Sequence, residues 1–297
     1  MFDLVKGDYM PYTIIINSSS DLPQEIVDQF GLQVVHLKFV LNNETFPNYL
    51  DYHNLPVKDF YARLRKGEMA TTSQINTVDY EELIQKEFDK GNDVLILSFS
   101  SALSGSYNAG RLAVESMSGK KHKVLLVDTK AASLGEGLLI YLAALKQQEG
   151  KTIDEVYQYV EETKLHIAHW FTVDDLMFLK RGGRVSGASA IMGSILSIKP
   201  VLHVDNEGRL IPRLKVMGRK KAIQSLVDKV KETVDTSISN VVFISHADDE
   251  TTALMAKEKI EALNLGLEVK VVHFIGPVIG AHSGPGTIAV FFTATHR

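Results

Sequence analysis

"DVLILSFSSALSGSYNAGRLAVES", Asp93 to Ser116, decides the fold. Its opening run is apolar, too short for an ordinary helix, and reads as a buried strand. A serine-rich turn follows, and from about Ser104 the apolar residues recur at helical spacing. A strand that feeds a helix in this way is half of a βαβ unit, and such units build parallel sheets buried on both faces. The same alternation extends outward in both directions. "YTIIIN" (Tyr12 to Asn17), "QVVHLKFVL" (Gln33 to Leu41) and "KVLLVDT" (Lys123 to Thr129) read as strands. "PQEIVDQFG" from Pro23, "PVKDFYARLRKG", "TVDYEELIQKEFDKG" and "SLGEGLLIYLAALKQQEG" read as helices, each closed by glycine.

The pattern changes after Gly150. "TIDEVYQYVEETKLH" reads as a bridging amphipathic helix and "IAHWFTV" as a strand. "DDLMFLKRGGR" and "SGASAIMGSILS" read as short helices broken at Gly182 and Gly183. "KPVLHVDNEGRLIPRLKVMG" holds two apolar runs around a turn containing Gly208, the signature of a β-hairpin. Strand "NVVFISHA", a helix from Asp248 and two last strands around "GPVIGAHSGPG" complete the chain. The expectation is an α/β protein. Residues 12–165 form a three-layer N-terminal domain with a mainly parallel sheet. Residues 166–297 form a two-layer C-terminal domain with a mixed sheet.

Composition narrows the function. The chain has 297 residues, 45% hydrophobic and 23% charged, enough for a sizeable core. A net charge of −4 offers no global field for nucleic acid or anionic membrane. The absence of cysteine excludes a disulfide framework, a thiolate metal site and a cysteine nucleophile. The first twelve residues carry Asp3, Lys6 and Asp8 and do not read as a signal peptide, and no run is long enough to span a membrane. A cytoplasmic location is expected.

No Walker loop is present, and "GEGLLI" at Gly135 lacks the third glycine of a dinucleotide fingerprint, so it reads as helix packing. Hydroxyl-rich segments stand out instead: "NSSSDLP" from Asn17, "ATTSQIN" from Ala70 and "SFSSALSGSYNAG" from Ser98. In a parallel α/β sheet, ligands bind at the carboxyl ends of strands, and a helix N-terminus there suits an anion. Locally, Ser104 reads first as a helix cap, with anion binding as the alternative. GxSxG is absent, so no nucleophile elbow is indicated. His166 and His169 sit on opposite faces of an expected strand, and "HADDE" (His246 to Glu250) reads as a helix start rather than a metal site. "KRGGR" (Lys180 to Arg184) and "GRKK" are basic patches, either solvated surface or contacts for a partner or phosphate.

Taken in order, "SSSDLP", "TTSQ", "SFSSALSGSYNAG", "KRGGR", "IKP" and "GPVIGAHSGPGTIAVFF" resemble the DegV family of bacterial fatty-acid-binding proteins across nearly the whole chain. The resemblance implies a fatty acid held between two α/β domains, its carboxylate bound by Thr72, Ser104 and His282. Ser73, Ser106 and Ser283 would support the pocket. Arg181 and Arg184 would dock an ATP-binding fatty acid kinase subunit, which phosphorylates the carboxylate for phospholipid synthesis. The protein itself would be a substrate-presenting monomer, not an enzyme, with no cofactor, metal or catalytic residue and no nucleic acid partner. The segments "SLGEGLLIYLAALKQ" and "SGASAIMGSILS" are apolar enough to line a tail tunnel, and equally read as plain core. Asn17 replaces a frequent aspartate, altering charge near the pocket; Ile75 replaces a frequent proline, and Ser106 and Ser283 replace threonines. A serine hydrolase using Ser104, His282 and an acid such as Asp128 is the competing reading.

Overall fold

In the computed structural model, residues 11–185 and 198–297 are described. "SGASAIMGSILS" lies outside the described residues. The N-terminal part holds β1 (Tyr12–Asn17), β2 (Gln33–Val35), β6 (Asp93–Ser98) and β7 (Val124–Asp128) in one parallel sheet of order β2-β1-β6-β7. Ile14–Ile16 and Val94–Leu97 are buried because both faces are covered. Helices α3 (Thr77–Asp89) and α4 (Ser106–Ser116) pack on one face, and α6 (Ile153–Thr163) on the other. No helix among the described residues is long and apolar enough to cross a membrane.

"QVVHLKFVL" is two strands, not one. β2 joins the parallel sheet, while β3 (Lys38–Leu41) starts a separate antiparallel sheet with β4 (Glu44–Pro47) and β5 (Ala70–Ser73). β5 is the "ATTS" of the hydroxyl-rich segment from Ala70, for which the sequence alone indicates no strand. Its four residues are too few and too polar to show alternation, and its pairing with β3 makes the strand.

The C-terminal part holds β8 (Ile167–Thr172), β9 (Ile198–Val204), β10 (Leu210–Met217), β11 (Val241–His246), β12 (Glu268–Phe274) and β13 (Ile288–Thr293), in order β10-β9-β8-β13-β11-β12. Only β11 and β12 pair in parallel, so the sheet is mixed. β9 and β10 form the expected hairpin, with Gly208 at φ +79°. Helices α8 (Arg219–Thr233) and α9 (Glu250–Glu261) cover one face. Asp249 caps α9 by accepting the Thr252 N–H.

The other face of this sheet is covered from the N-terminal half. Helix α5 (Leu134–Gln148) is buried from Leu134 to Ala144 and packs on β8, β11 and β13, with Tyr141 and Phe243 5.6 Å apart between ring centroids. A helix apolar on every side belongs between two layers. Gly135 permits the approach to β8, since a Cβ there would stand 2.1 Å from His169 Nε2, and Gly137 the approach to the N-terminal side, where a Cβ would stand 2.9 Å from Ser20 O. α5 is therefore shared core, the second of the two readings its apolar sequence left open.

Candidate functional site

A cavity of about 230 Å³ lies between the carboxyl end of the parallel sheet and the inward face of the mixed sheet. Most of its wall is apolar, including Phe99, Leu103, Phe171, Leu179, Val204 and Phe291. One end is polar, with Thr72, Ser73, Gln74, Ser104, Arg184 and His282. The sequence had separated these groups by more than two hundred residues; the fold gathers them.

Thr72 stands on β5 in register with Phe39, whose buried ring fixes the strand against the core. "GPVIGAHS" is not loop punctuation but a short helix, α10 (Pro277–Ser283), with Pro277 at its first turn. α10 packs on β5 and sets His282 Nε2 2.8 Å from Thr72 Oγ1. Burial, then the Arg184 charge, push the His282 pKa down to about 4, so the ring is neutral at pH 7. Its Nδ1 faces Gly182 without a hydrogen-bond partner. We assign the proton to Nε2, which leaves a lone pair, not an unmet donor, beside Gly182.

Ser104 is not the helix cap. α4 begins at Ser106, and Gly105 holds the cap position without a side-chain bond. Ser104 Oγ still accepts the Ser106 N–H at 3.2 Å and lies 2.9 Å from Ser106 Oγ. Ser106 Oγ in turn accepts the Ile75 N–H at 3.2 Å. A proline at position 75 could not make that bond, so Ile75 gives this chain a donor that the frequent residue lacks. Ser106 thus stands behind Ser104, while Ser73 and Ser283 line the cavity themselves.

Both hydroxyls at the polar end are supplied from behind. With the proton on Nε2, His282 donates to Thr72 Oγ1, and the Ser106 N–H donates to Ser104 Oγ; we assign the hydrogen between the two serine hydroxyls to Ser106. Each hydroxyl then accepts from behind and keeps its own O–H for the cavity. Such an end suits a group that only accepts, such as an ionised carboxylate.

Two arginines were expected outside. Arg181 is exposed, with its guanidinium 4.7 Å above the Phe178 ring. Arg184 turns inward, donates to Leu103 O at 3.2 Å and to Gly182 O, and lines the cavity. It braces the Ser104 loop and brings positive charge to the polar end. The two glycines of "KRGGR" have separate reasons. Gly183 ends helix α7 (Leu176–Gly182) at φ +66°. Gly182 makes room for His282, since a Cβ there would lie 2.2 Å from Nδ1. The sequence signal was only the doublet, and it gave no hint of the ring.

Asn17 does not reach the cavity. Its amide donates to Tyr80 Oη at 2.8 Å, and its carbonyl accepts from Ser98 Oγ and the Phe99 N–H. Nor do Ser104, His282 and Asp128 form a relay. His282 Nε2 is on Thr72, and Asp128 accepts the Ser101 and Lys130 N–H groups and pairs with Lys130. The hydrolase arrangement is not built. Among the described residues, no cluster of three or more His, Asp or Glu could hold a metal ion.

The fold and site define an α/β protein with an apolar cavity closed at one end by hydroxyl donors, a place for one amphipathic acid. The chain belongs to the DegV family: residues 11–295 match the family described as an uncharacterised protein, DegV family. A DegV domain-containing protein of Clostridium perfringens is 40% identical over 95% of this chain and 97% of its own. A DegV family protein of Thermus thermophilus, described by its fatty acid binding, superposes with a TM-score of 0.86 at 29% identity, over 96% of this chain and all of its own. DegV of Bacillus subtilis, described as a fatty acid binding protein, gives 0.83 at 29% identity over the same shares.

Proposed function

We propose that this chain binds a long-chain fatty acid and presents its carboxylate to an ATP-binding kinase subunit. The observation that carries the reading is the pair of hydroxyls, Thr72 and Ser104, each accepting a hydrogen bond from behind and keeping its O–H for the cavity. In this reading His282 orients Thr72 and does not hold the ligand alone. Arg184 sits at the edge of the head site. The lobes 12–165 and 166–297 close on the ligand, and the protein acts as a monomeric holder with no chemistry of its own.

The tail supplies most of the affinity. Burying ~14 methylenes at ~0.8 kcal/mol each gives on the order of 11 kcal/mol, reduced by lost ligand freedom. The head fixes orientation. A second cleft, lined by Met69, Thr71, Thr72, Phe178, Arg181 and His282, opens on the outer side of the same pair. It offers a phosphoryl donor a route to the head, and Arg181 beside it is the docking residue.

Titration with a fatty acid and with the matching fatty alcohol tests this reading. Thr72→Val and Ser104→Ala are each expected to weaken the acid about tenfold or more, the cost of a hydrogen bond to a charged group, and to leave the alcohol nearly unchanged. Equal losses for both ligands, or none, would remove the two hydroxyls from the head site. With an ATP-binding fatty acid kinase subunit, ATP and magnesium, hydroxylamine should trap acyl hydroxamate, and Arg181→Ala should reduce it.

A further inference from the structure

Asp21, in the "SSSDLP" segment, has no part in the head site described above. It is fully buried and holds a left-handed backbone at φ +51°. Its two oxygens tie together two helix starts. Oδ1 accepts the Gly276 N–H at 3.0 Å, just before α10. Oδ2 accepts Ser133 Oγ at 2.6 Å, just before α5. Ser133 lines the cavity and lies 3.3 Å from Ser245 Oγ on β11. α10 thus runs from the Asp21 anchor at one end to His282 at the other.

Among the described residues, no positive charge acts on Asp21: burial, Ser133 and Gly276 set its proton affinity. Glu136 of α5 accepts the Ser19 hydroxyl hydrogen, and burial holds its carboxyl well above the usual carboxylate range. Burial likewise raises Tyr52 and Tyr61, the latter on α2 (Val57–Arg65), and keeps both neutral. An ionised Asp21 is therefore a lone buried charge held by two hydrogen bonds. Protonated, it can instead donate to Ser133 Oγ, whose own hydrogen turns to Ser245 Oγ, and the chain reverses without moving a heavy atom.

We infer that Asp21 is a proton acceptor coupled to the ligand: an acyl carboxylate entering the head site draws one proton from solvent onto Asp21. The inference rests on the fatty-acid reading above. Two like charges in one buried region disfavour joint ionisation. From Gly276 to His282 is six residues of helix, about 9 Å. At an effective dielectric constant of ~20, that separation changes proton affinity about 20-fold. Burial already pushes the Asp21 pKa up to about 7, against the lowering effect of Ser133 and Gly276, so the linkage falls in the neutral range. Reciprocity requires that the acid bind more tightly as pH falls.

The test is calorimetric titration of the full chain with dodecanoate, kept below its micelle concentration, in two buffers of different ionisation enthalpy. Near pH 7.5 the wild type should take up about half a proton per ligand, and Asp21→Asn none. Wild-type affinity should rise about tenfold from pH ~8.5 to pH ~6.5, and the variant's should stay flat. Ser133→Ala removes a bond that favours the ionised form and should move the wild-type midpoint to higher pH, a check that needs no change at Asp21. Tight binding without proton uptake refutes the role of Asp21 and leaves the fatty-acid reading standing. No binding by the wild type at any pH removes both.

Discussion

Replacing Gly182 by alanine tests the head geometry through a residue that would never touch the ligand. The His282 ring is held between two neighbours, with Nε2 2.8 Å from Thr72 Oγ1 and Nδ1 against Gly182. A Cβ at position 182 would lie 2.2 Å from Nδ1, 3.1 Å from Cε1 and 3.2 Å from Cγ. Ordinary contact needs more than an ångström of extra room. Thr72 leaves none on the far side, so the ring must turn or α7 must lift, and the Thr72 contact is lost either way. Overpacking costs about 1–3 kcal/mol, but alanine returns about 1 kcal/mol of helix propensity, so stability should change little. Binding should suffer more. Losing the orientation of one hydroxyl toward a charged head costs about 1.5–3 kcal/mol, roughly a 10- to 100-fold weaker fatty acid complex. Displacement of a fluorescent fatty acid, with thermal unfolding beside it, reads both effects. In a His282→Ala background, Gly182→Ala should add nothing, because the ring it displaces is gone. An unchanged affinity in the single variant, or a full additional loss in the double variant, would refute the argument.

Two further outcomes concern stability. Arg297 donates to Ile167 O, Lys130 O, Asp205 O and Lys164 O, clamping the β9–β10 turn to the start of β8. Arg297→Met should cost on the order of 3 kcal/mol by denaturant unfolding, since it leaves several carbonyls without a charged donor; a loss under ~0.5 kcal/mol would show the clamp to be ornamental. The second follows from Asp21, whose folded pKa of about 7 exceeds the ordinary carboxylate value of 3.8. Protonation therefore favours the fold, fully below about pH 4, and that contribution is lost as pH rises to about 7. Asp21→Asn should thus match the wild type near pH 4 and exceed it above pH 7, by at most on the order of 4 kcal/mol. His203, His273 and His282 act in the opposite sense. Burial lowers each to about 4, so their contribution is present above pH 6.5 and lost as pH falls toward 4. They are common to both proteins and cancel in the comparison.

Where a segment decides its own structure, the sequence was enough. The isoleucines of β1 and the apolar run of β6 can only be buried strands, and "NEG" between two apolar runs can only be a tight turn. Where a distant partner decides, it was not. β5 is a strand because β3 pairs with it, and α10 is a helix although its glycines and prolines argue for a loop. Gly276 is anchored by Asp21, 255 residues earlier in the chain. The site followed the same rule. The ordered motifs pointed to Thr72, Ser104 and His282, and the fold brings all three to the wall of one cavity. What the motifs could not carry was who touches whom: His282 on Thr72 rather than Ser104, Ser106 behind Ser104, and Arg184 turned in while Arg181 stays out. The apolar helix α5 stayed undecided in the sequence because a helix buried between layers and one lining a tunnel have the same composition.

The central claim is that the cavity holds one fatty acid by its carboxylate. Native mass spectrometry of the purified full chain tests it most directly, with lipid extraction to identify the bound mass. The account expects one long-chain fatty acid per chain, retained by the wild type and depleted in a Thr72→Val, Ser104→Ala double variant that remains folded. A wild-type chain that carries no lipid and takes up none from added fatty acid would contradict it.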